Sequence, residues 1–515
     1  MDALTYPVPA VFEFLPYRRR DNTSARDEST YPYFARAGYA GVRVDMRGTG
    51  DSDGLYDDEY SETELADAEA IIGWIASQPW CNGAVGMMGI SWGGFNALQV
   101  AARRPPALKA VISIASTVDR YNDDIHYRNG CHLGAHLNWA ATVLGYMARP
   151  PDSDVVGDRW REMWFQRLEA LEPPSLTWVA HQRRDWFWKH GSICEDFAAV
   201  EAAALVIAGW GDGYRNTPLK ALEGLTAPTK AIIGPWVHKY PHFAVPRPRI
   251  DFHAEALRWW DRWLGDVEGV DDDVEALPPQ RAFIAEAVTH AFRGERERGR
   301  WVARDPRGDD TRRRLFLSDE RTLAEAPGGT QIVIDTPQTC GADGGVFFVV
   351  DPATELPVDQ RTDDELAVVF ETPPLTEPID VLGRSHVSLL VAVDQPQANL
   401  IARLEDVHPD GAAHRVAMGM LNLSHRVSNE FPIPMKPGEP ERIVIDLDDA
   451  GYRFLSGHRL RLALSTTYFP MVLPPPVPVR AIVSLGEGTY LDLPTPTNLV
   501  DIDLPEPADD LLPVY

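Results

Sequence analysis

A chain of 515 residues exceeds one small domain and leaves room for about two to four. Hydrophobic residues at 44% and charged residues at 24% are the balance of a globular protein that can bury a sizeable core. With Asp+Glu 76 against Lys+Arg 49, the formal net charge of −27 repels phosphate backbones and anionic lipid, which argues against nucleic acid and membrane surfaces as partners.

Taken in order, the first region alternates short apolar strands with helices. Residues 11–15 and 40–45 read as strands. Between Ser61 and Trp80, Leu65, Ala68, Ile71, Ile72 and Ile75 recur at helical spacing, and Ser61 followed by Glu64 is a capping-box start. A short buried strand follows at 85–89, then a helix through Arg103, then a strand at 110–114. This alternation predicts a parallel sheet covered on both faces, an α/β fold over 1–125. Over 126–195 the strand signal stops and the chain turns Trp-rich and helical, the pattern of a cap inserted between two strands. Strands resume at 205–208 and 231–233, a helix over 255–264 closes the unit, and 196–270 therefore completes the α/β domain. The acidic stretch 265–279, ending Leu277-Pro278-Pro279, reads as a linker. From 281 to 515 no long helical pattern occurs, and β-like runs such as 387–393 and 459–465 are separated by Pro, Gly and Asp clusters, which predicts an antiparallel sandwich or jelly roll.

Cys81, Cys131, Cys194 and Cys340 form no C-x-x-C pair, so neither a zinc site nor a thioredoxin-type site is indicated, and reduced thiols are expected. No apolar run reaches membrane-spanning length, and Met1-Asp2-Ala3-Leu4 has no basic start of a secretory signal, so a cytoplasmic location is expected.

The strongest chemical signal is Gly89-Ile90-Ser91-Trp92-Gly93-Gly94, a G-x-S-x-G run between a predicted strand and a helix. Small residues flanking the serine allow a turn so tight that the hydroxyl is lifted out of the sheet. The alternative is a Gly-rich helix start with a capping serine. A serine hydroxyl needs a base, and in this fold the chain order is Ser, acid, His. Asp212 lies just past the strand at 205–208, and His238 lies just past the strand at 231–233, where catalytic groups of open α/β sheets gather. Their rivals are Asp45, which leads into a turn, and His242; His126, His132, His136 and His190 read as structural. The oxyanion of acyl transfer needs donors, of which one is the backbone N–H of Trp92. No HGGG-type run supplies the second, and the Tyr17 hydroxyl sits in the right loop for it.

These residues, with Leu15-Pro16-Tyr17, Asp45-Met46-Arg47-Gly48, Gly209-Trp210-Gly211-Asp212-Gly213 and Gly234-Pro235-Trp236-Val237-His238, give a chain that resembles the CocE/NonD hydrolases, a group that takes in esterases, acylases and X-Pro dipeptidyl-peptidases. The resemblance covers nearly the whole chain. It implies a triad of Ser91, Asp212 and His238, an oxyanion hole from Tyr17 and Trp92, a helical cap, and a C-terminal jelly roll that starts near 370–376 and walls one side of the pocket. Hydrolysis through an acyl-enzyme on such a triad requires no metal and no organic cofactor. Two departures stand out. Family members usually carry a β-hairpin before the first strand, and this chain begins almost at that strand, which reads as a truncated start or as missing edge strands. The amino-ester branch holds an ammonium group with acids that include some just after the catalytic Asp; here Gly213, Tyr214 and Arg215 follow, and Asp123 and Asp124 would be opposed by Arg215. The helical N-terminal domain of the X-Pro dipeptidyl-peptidases is also absent. The expected function is therefore hydrolysis of a small-molecule carboxylic ester or amide, with the Trp-rich cap favouring apolar or aromatic groups and a homodimer as a plausible state. An amidase, acylase or aminopeptidase-type activity is the second reading. A non-catalytic jelly-roll binding protein is the third, against which the intact Ser, Asp and His argue.

Overall fold

The computed structural model describes residues 5–265, 271–288, 295–309 and 311–508. Strand β1 (Val8–Leu15) buries its last six residues in succession, which only a strand covered on both faces can do. It is joined by β2 (Ala40–Asp45), β3 (Cys81–Ile90) and β4 (Leu108–Ile114). After an insertion come β7 (Ala203–Gly209), β8 (Thr229–Gly234) and β9 (Gln280–Glu286), with β5 (Tyr127–Arg128) and β6 (Cys131–His132) forming a small hairpin in between. The seven long strands run parallel in the order β2-β1-β3-β4-β7-β8-β9. From β1 the chain steps to one side for β2 and then crosses to the other for β3, so the strand order reverses there. A crevice opens at the carboxyl ends beside such a reversal.

Helix α9 (Thr217–Gly224), packed on β7 and β8, and two helix pairs cover this sheet, and the glycines of β3 show how the pairs divide. A side chain at Gly86 would strike Trp260 and Leu264 of helix α10 (Phe252–Leu264), whereas one at Gly89 would strike Gly93 of α3 (Trp92–Ala102). Three positions apart on one strand, these point to opposite faces. Helix α1 (Ser24–Arg36) lies with α10, and α2 (Glu62–Ala76) with α3. Ser61 caps α2 by accepting from the Glu64 N–H, but the Glu64 carboxyl reaches back to the Tyr60 N–H, one residue beyond the expected box.

Between β4 and β7 the chain forms α4 (Ala135–Met147), α5 (Ser153–Val156), α6 (Trp160–Ala170), α7 (Ser175–Ala180) and α8 (Trp186–Lys189), the helical cap that the loss of strand signal indicated. The hairpin β5–β6 was not expected; strands of two residues are too short to leave a period. The stretch read as a linker holds helix α11 (Asp271–Ala276); residues 266–270 of that reading lie outside the described residues.

Past β9 the strands are antiparallel. They are β10 (Gly299–Arg304), β11 (Arg312–Leu317), β12 (Leu323–Ala324), β13 (Gln331–Asp335), β14 (Val368–Glu371), β15 (Ile379–Val393) and β16 (Asn399–Val407). Then follow β17 (Ala413–Asn422), β18 (Glu441–Phe454), β19 (Arg459–Ser465), β20 (Arg480–Ser484), β21 (Tyr490–Pro494) and β22 (Val500–Ile502). One layer is β14-β19-β16-β17; the other centres on the long pair β15 and β18. The β14 strand stops before Pro373 and Pro374, whose missing N–H groups end the ladder. Strand β18 also pairs in parallel with β9, at Tyr452 with Ala285 and Arg453 with Glu286, so the two parts of the molecule share one continuous sheet. Among the described residues no helix is long and apolar enough to cross a membrane.

Candidate active site

Ser91 joins the end of β3 to the start of α3 at φ 57° and ψ −127°, a conformation that L side chains rarely adopt. The sequence permits it because Gly89, Gly93 and Gly94, two and three positions from the serine, have no side chains. A Cβ at Gly89 would lie 2.6 Å from the Gly93 Cα, and one at Gly94 would lie 2.7 Å from the Ile114 carbonyl oxygen. The strained serine is pinned by its own backbone, donating its N–H to Ile114 O at 2.9 Å and accepting from Phe95 N at 2.9 Å.

Two loops at the same sheet edge are stitched together. Trp210 N–H donates to Gly234 O and Gly211 N–H to Trp236 O, both at 2.9 Å. That pairing brings Asp212, fully buried on its turn, beside His238 on the next loop. Asp212 Oδ2 lies 2.9 Å from His238 Nδ1, and Oδ1 accepts from the Tyr214 N–H. A carboxylate only accepts, so Nδ1 donates and Nε2 is left as the basic nitrogen. The His238 N–H donates to Val349 O at 3.0 Å, and its ring packs 4.3 Å from Phe348.

Tyr17, on the loop after β1, donates its hydroxyl to Ser91 Oγ at 3.3 Å. Burial raises the phenol's pKa well above its usual value, so it stays a donor; its hydrogen bond to Ser91 and the one with the Trp92 backbone only partly offset that. Two donors thus meet beside the serine. Among the described residues no hydrogen bond joins Ser91 to His238; such contacts often tighten only in a substrate complex. Ser91, Tyr17 and His238 line one cavity of about 990 Å³.

The rivals lie elsewhere. Asp45 accepts from the backbone of Arg19 and Asp51 and holds a turn. His242 is fully buried against His253 and Phe252, and burial pushes its pKa well down. His126 bonds Glu59, and His190 bonds the Tyr60 carbonyl. His132 and His136 help to line the cavity, with burial pulling them to about 4 and about 3. Asp124 bonds the Tyr214 hydroxyl, Asp123 pairs with Lys220, and Arg215 caps the Asp212 carbonyl, so none of the three lines the cavity. Of the tryptophans that make 126–195 Trp-rich, Trp139 alone lines it.

Four contributors escaped the sequence reading. Phe347 and Phe348 come from the segment between β13 and β14, more than a hundred residues beyond His238, and no local pattern marks them. Lys239 lines the cavity beside the histidine and carries no motif. Glu64 accepts from the Trp92 indole N–H at 2.5 Å, and burial pushes its carboxyl up to about 8. Its capping-box position was the available signal.

A parallel sheet with a helical insertion, continued into an antiparallel β part, is the architecture of the α/β-hydrolase fold. Residues 3–240 match the X-Pro dipeptidyl-peptidase (S15 family), and residues 274–488 match the X-Pro dipeptidyl-peptidase C-terminal non-catalytic domain. The chain belongs to this family. It is 27% identical to a cocaine esterase of Rhodococcus sp. (strain MB1 Bresler), over 90% of this chain and 87% of that protein. It is 26% identical to a putative serine esterase of Mycobacterium bovis, over 91% and 85%. With the family match, these relatives make the chain a serine hydrolase acting on ester or amide bonds. A solved α-amino acid ester hydrolase shares the fold, with a TM-score of 0.74 at 20% identity over 95% of this chain and 92% of that one.

Proposed function

We propose that the chain is a carboxylesterase that works through an acyl-enzyme on Ser91. The observation that carries this reading is the convergence on one cavity of a strained serine, the Tyr17 hydroxyl and the Asp212-backed His238. His238 Nε2 takes the Ser91 proton as Oγ attacks the substrate carbonyl. The Tyr17 hydroxyl and the Trp92 N–H donate to the developing oxyanion, replacing water by fixed dipoles. The imidazolium, held by Asp212, then protonates the leaving alcohol. Water deprotonated by the same nitrogen releases the acid. The names of the esterase relatives support esters over amides. The cavity wall, with Phe243, Phe347, Phe348, Leu133 and Trp139, supports an apolar or aromatic substrate body. All four cysteines are free and three are buried, which supports a reducing, cytoplasmic setting.

Mass detection of an acylated or fluorophosphonate-labelled Ser91, with rates on 4-nitrophenyl esters and the matching anilides, tests the reading. Faster ester turnover that Ser91→Ala abolishes is expected. Anilides cleaved faster than their esters would instead make the enzyme an amidase.

A further inference from the structure

At one end of the layer β14-β19-β16-β17, three side chains meet that the hydrolytic site does not use. Asp406 lies on β16 and His408 just past its end, two positions apart and so on one face of the sheet. Strand β19 runs antiparallel beside it, with Asp406 opposite Leu460 and Val407 opposite Arg459. One step further along that register sets His458 opposite His408. Their imidazole rings lie 4.7 Å apart, and one donor atom from each of the three side chains falls within 4.8 Å of the others. None of the three lines the cavity at Ser91.

A carboxylate only accepts, so His458 Nδ1 donates to Asp406, 2.9 Å from Oδ1 and 3.0 Å from Oδ2. The Tyr452 hydroxyl donates to Oδ2 at 2.7 Å and fixes the plane of that fully buried carboxylate. His408 Nε2 lies 3.5 Å from the same oxygen, yet it is buried and makes no hydrogen bond among the described residues. A cluster held by hydrogen bonds alone would use that nitrogen, because buried polar atoms are normally paired. Zinc bonds imidazole nitrogen and carboxylate oxygen at about 2.0–2.2 Å, which sets neighbouring donors of a tetrahedral site about 3.4 Å apart. The spacings around Asp406, 2.9 and 3.5 Å, bracket that value. An ion at this point takes the place of the proton on His458 Nδ1, and the proton passes to Nε2, so the ring stays neutral, as a ligand must be. Tyr452 then supplies the outer hydrogen bond that orients a ligating carboxylate.

We propose that Asp406, His408 and His458 bind one zinc ion, which clips the end of β16 to the start of β19 and keeps water in its fourth position. Two imidazoles and one carboxylate suit zinc and reject Mg²⁺ and Ca²⁺, which take oxygen ligands. A net charge of −27 draws cations to the whole surface, so the site is read from stoichiometry and from its dependence on these donors. The proposal stands apart from the reaction at Ser91.

Two measurements on the full-length protein test it. The first is calorimetric titration of chelator-treated protein with zinc chloride against a background of millimolar Mg²⁺. One equivalent is expected to bind with a micromolar Kd or tighter and to raise the Tm, since an ion that binds only the folded chain stabilises it. His408→Gln replaces a ring that makes no hydrogen bond, so its metal-free Tm should match the parent's. That variant is expected to bind the equivalent about 100-fold more weakly or worse, and zinc should no longer raise its Tm. The second measurement puts Co²⁺ in place of zinc. The parent itself is expected to show the visible absorption of a four-coordinate ion with imidazole ligands, displaced by one equivalent of zinc, whatever the stability of the variants. No stoichiometric uptake by the parent overturns the proposal. So does equal zinc affinity in His408→Gln, or a cobalt spectrum of a fully hydrated ion.

Discussion

On the proposed mechanism Ser91, Tyr17 and Glu64 each hold a different part of the reaction, and their substitutions separate those parts. Ser91→Ala is expected to lower ester turnover by roughly four to six orders of magnitude. Relief of its backbone strain is not expected, because alanine at φ 57° is no easier than serine, so Tm should change little. Tyr17→Phe keeps the ring contacts with Trp92 and Trp139 but removes one oxyanion donor. That variant should lose about 10²–10³-fold in kcat with KM little changed, by steady-state kinetics. Glu64 acts one step back, through the indole of Trp92. Its carboxyl titrates near 8 in the folded chain, above its value in the unfolded chain. A raised pKa gives stability that is complete at pH below the unfolded value and lost as pH climbs through about 8. Glu64→Gln has no such loss. Between pH 5 and pH 8 its Tm should therefore shift by several degrees relative to the parent, in the variant's favour, and a pH-independent difference would contradict the assignment.

Secondary structure at the site depends on what glycine permits. At Gly89 a methyl group would press on the backbone of Gly93, so strand and helix could not meet at the serine. Gly89→Ala should cost about 1–3 kcal/mol or more and remove most activity, read as a lower Tm together with lost turnover. The sequence made this element legible because its constraint is local: a buried strand, small residues around Ser91, then a helix. Asp212 and His238 were legible for a related reason, since each follows a strand and the chain order matches the fold. Tyr17 was less so, because a hydroxyl donor leaves no spacing to read, and only the family resemblance raised it. Phe348 was not legible at all. Its place beside the imidazole comes from a loop of the β part folding back on the histidine, a fact of packing over a long sequence distance. The helix at Asp271–Ala276 was missed because six residues give no usable period.

At the scale of the molecule, the parallel and antiparallel parts are one sheet, joined where β18 meets β9. A fragment ending near residue 278 would lose β9, the partner of β8, as well as Phe348 and the Val349 carbonyl that receives the His238 N–H. Such a fragment is expected to be insoluble or inactive on 4-nitrophenyl esters even with Ser91, Asp212 and His238 present. Turnover near that of the full chain would show that the β part is dispensable.

The contact between the loop at 345–350 and the imidazole also bears on how relatives can diverge. Grafting another member's C-terminal half onto this N-terminal half would bring in a foreign residue where Phe348 now stacks and a foreign carbonyl where Val349 now accepts. Shuffling the halves would thus retune the basicity and aim of the histidine along with the shape of the binding wall, so pH optimum and selectivity would be inherited together from the donor of the β half.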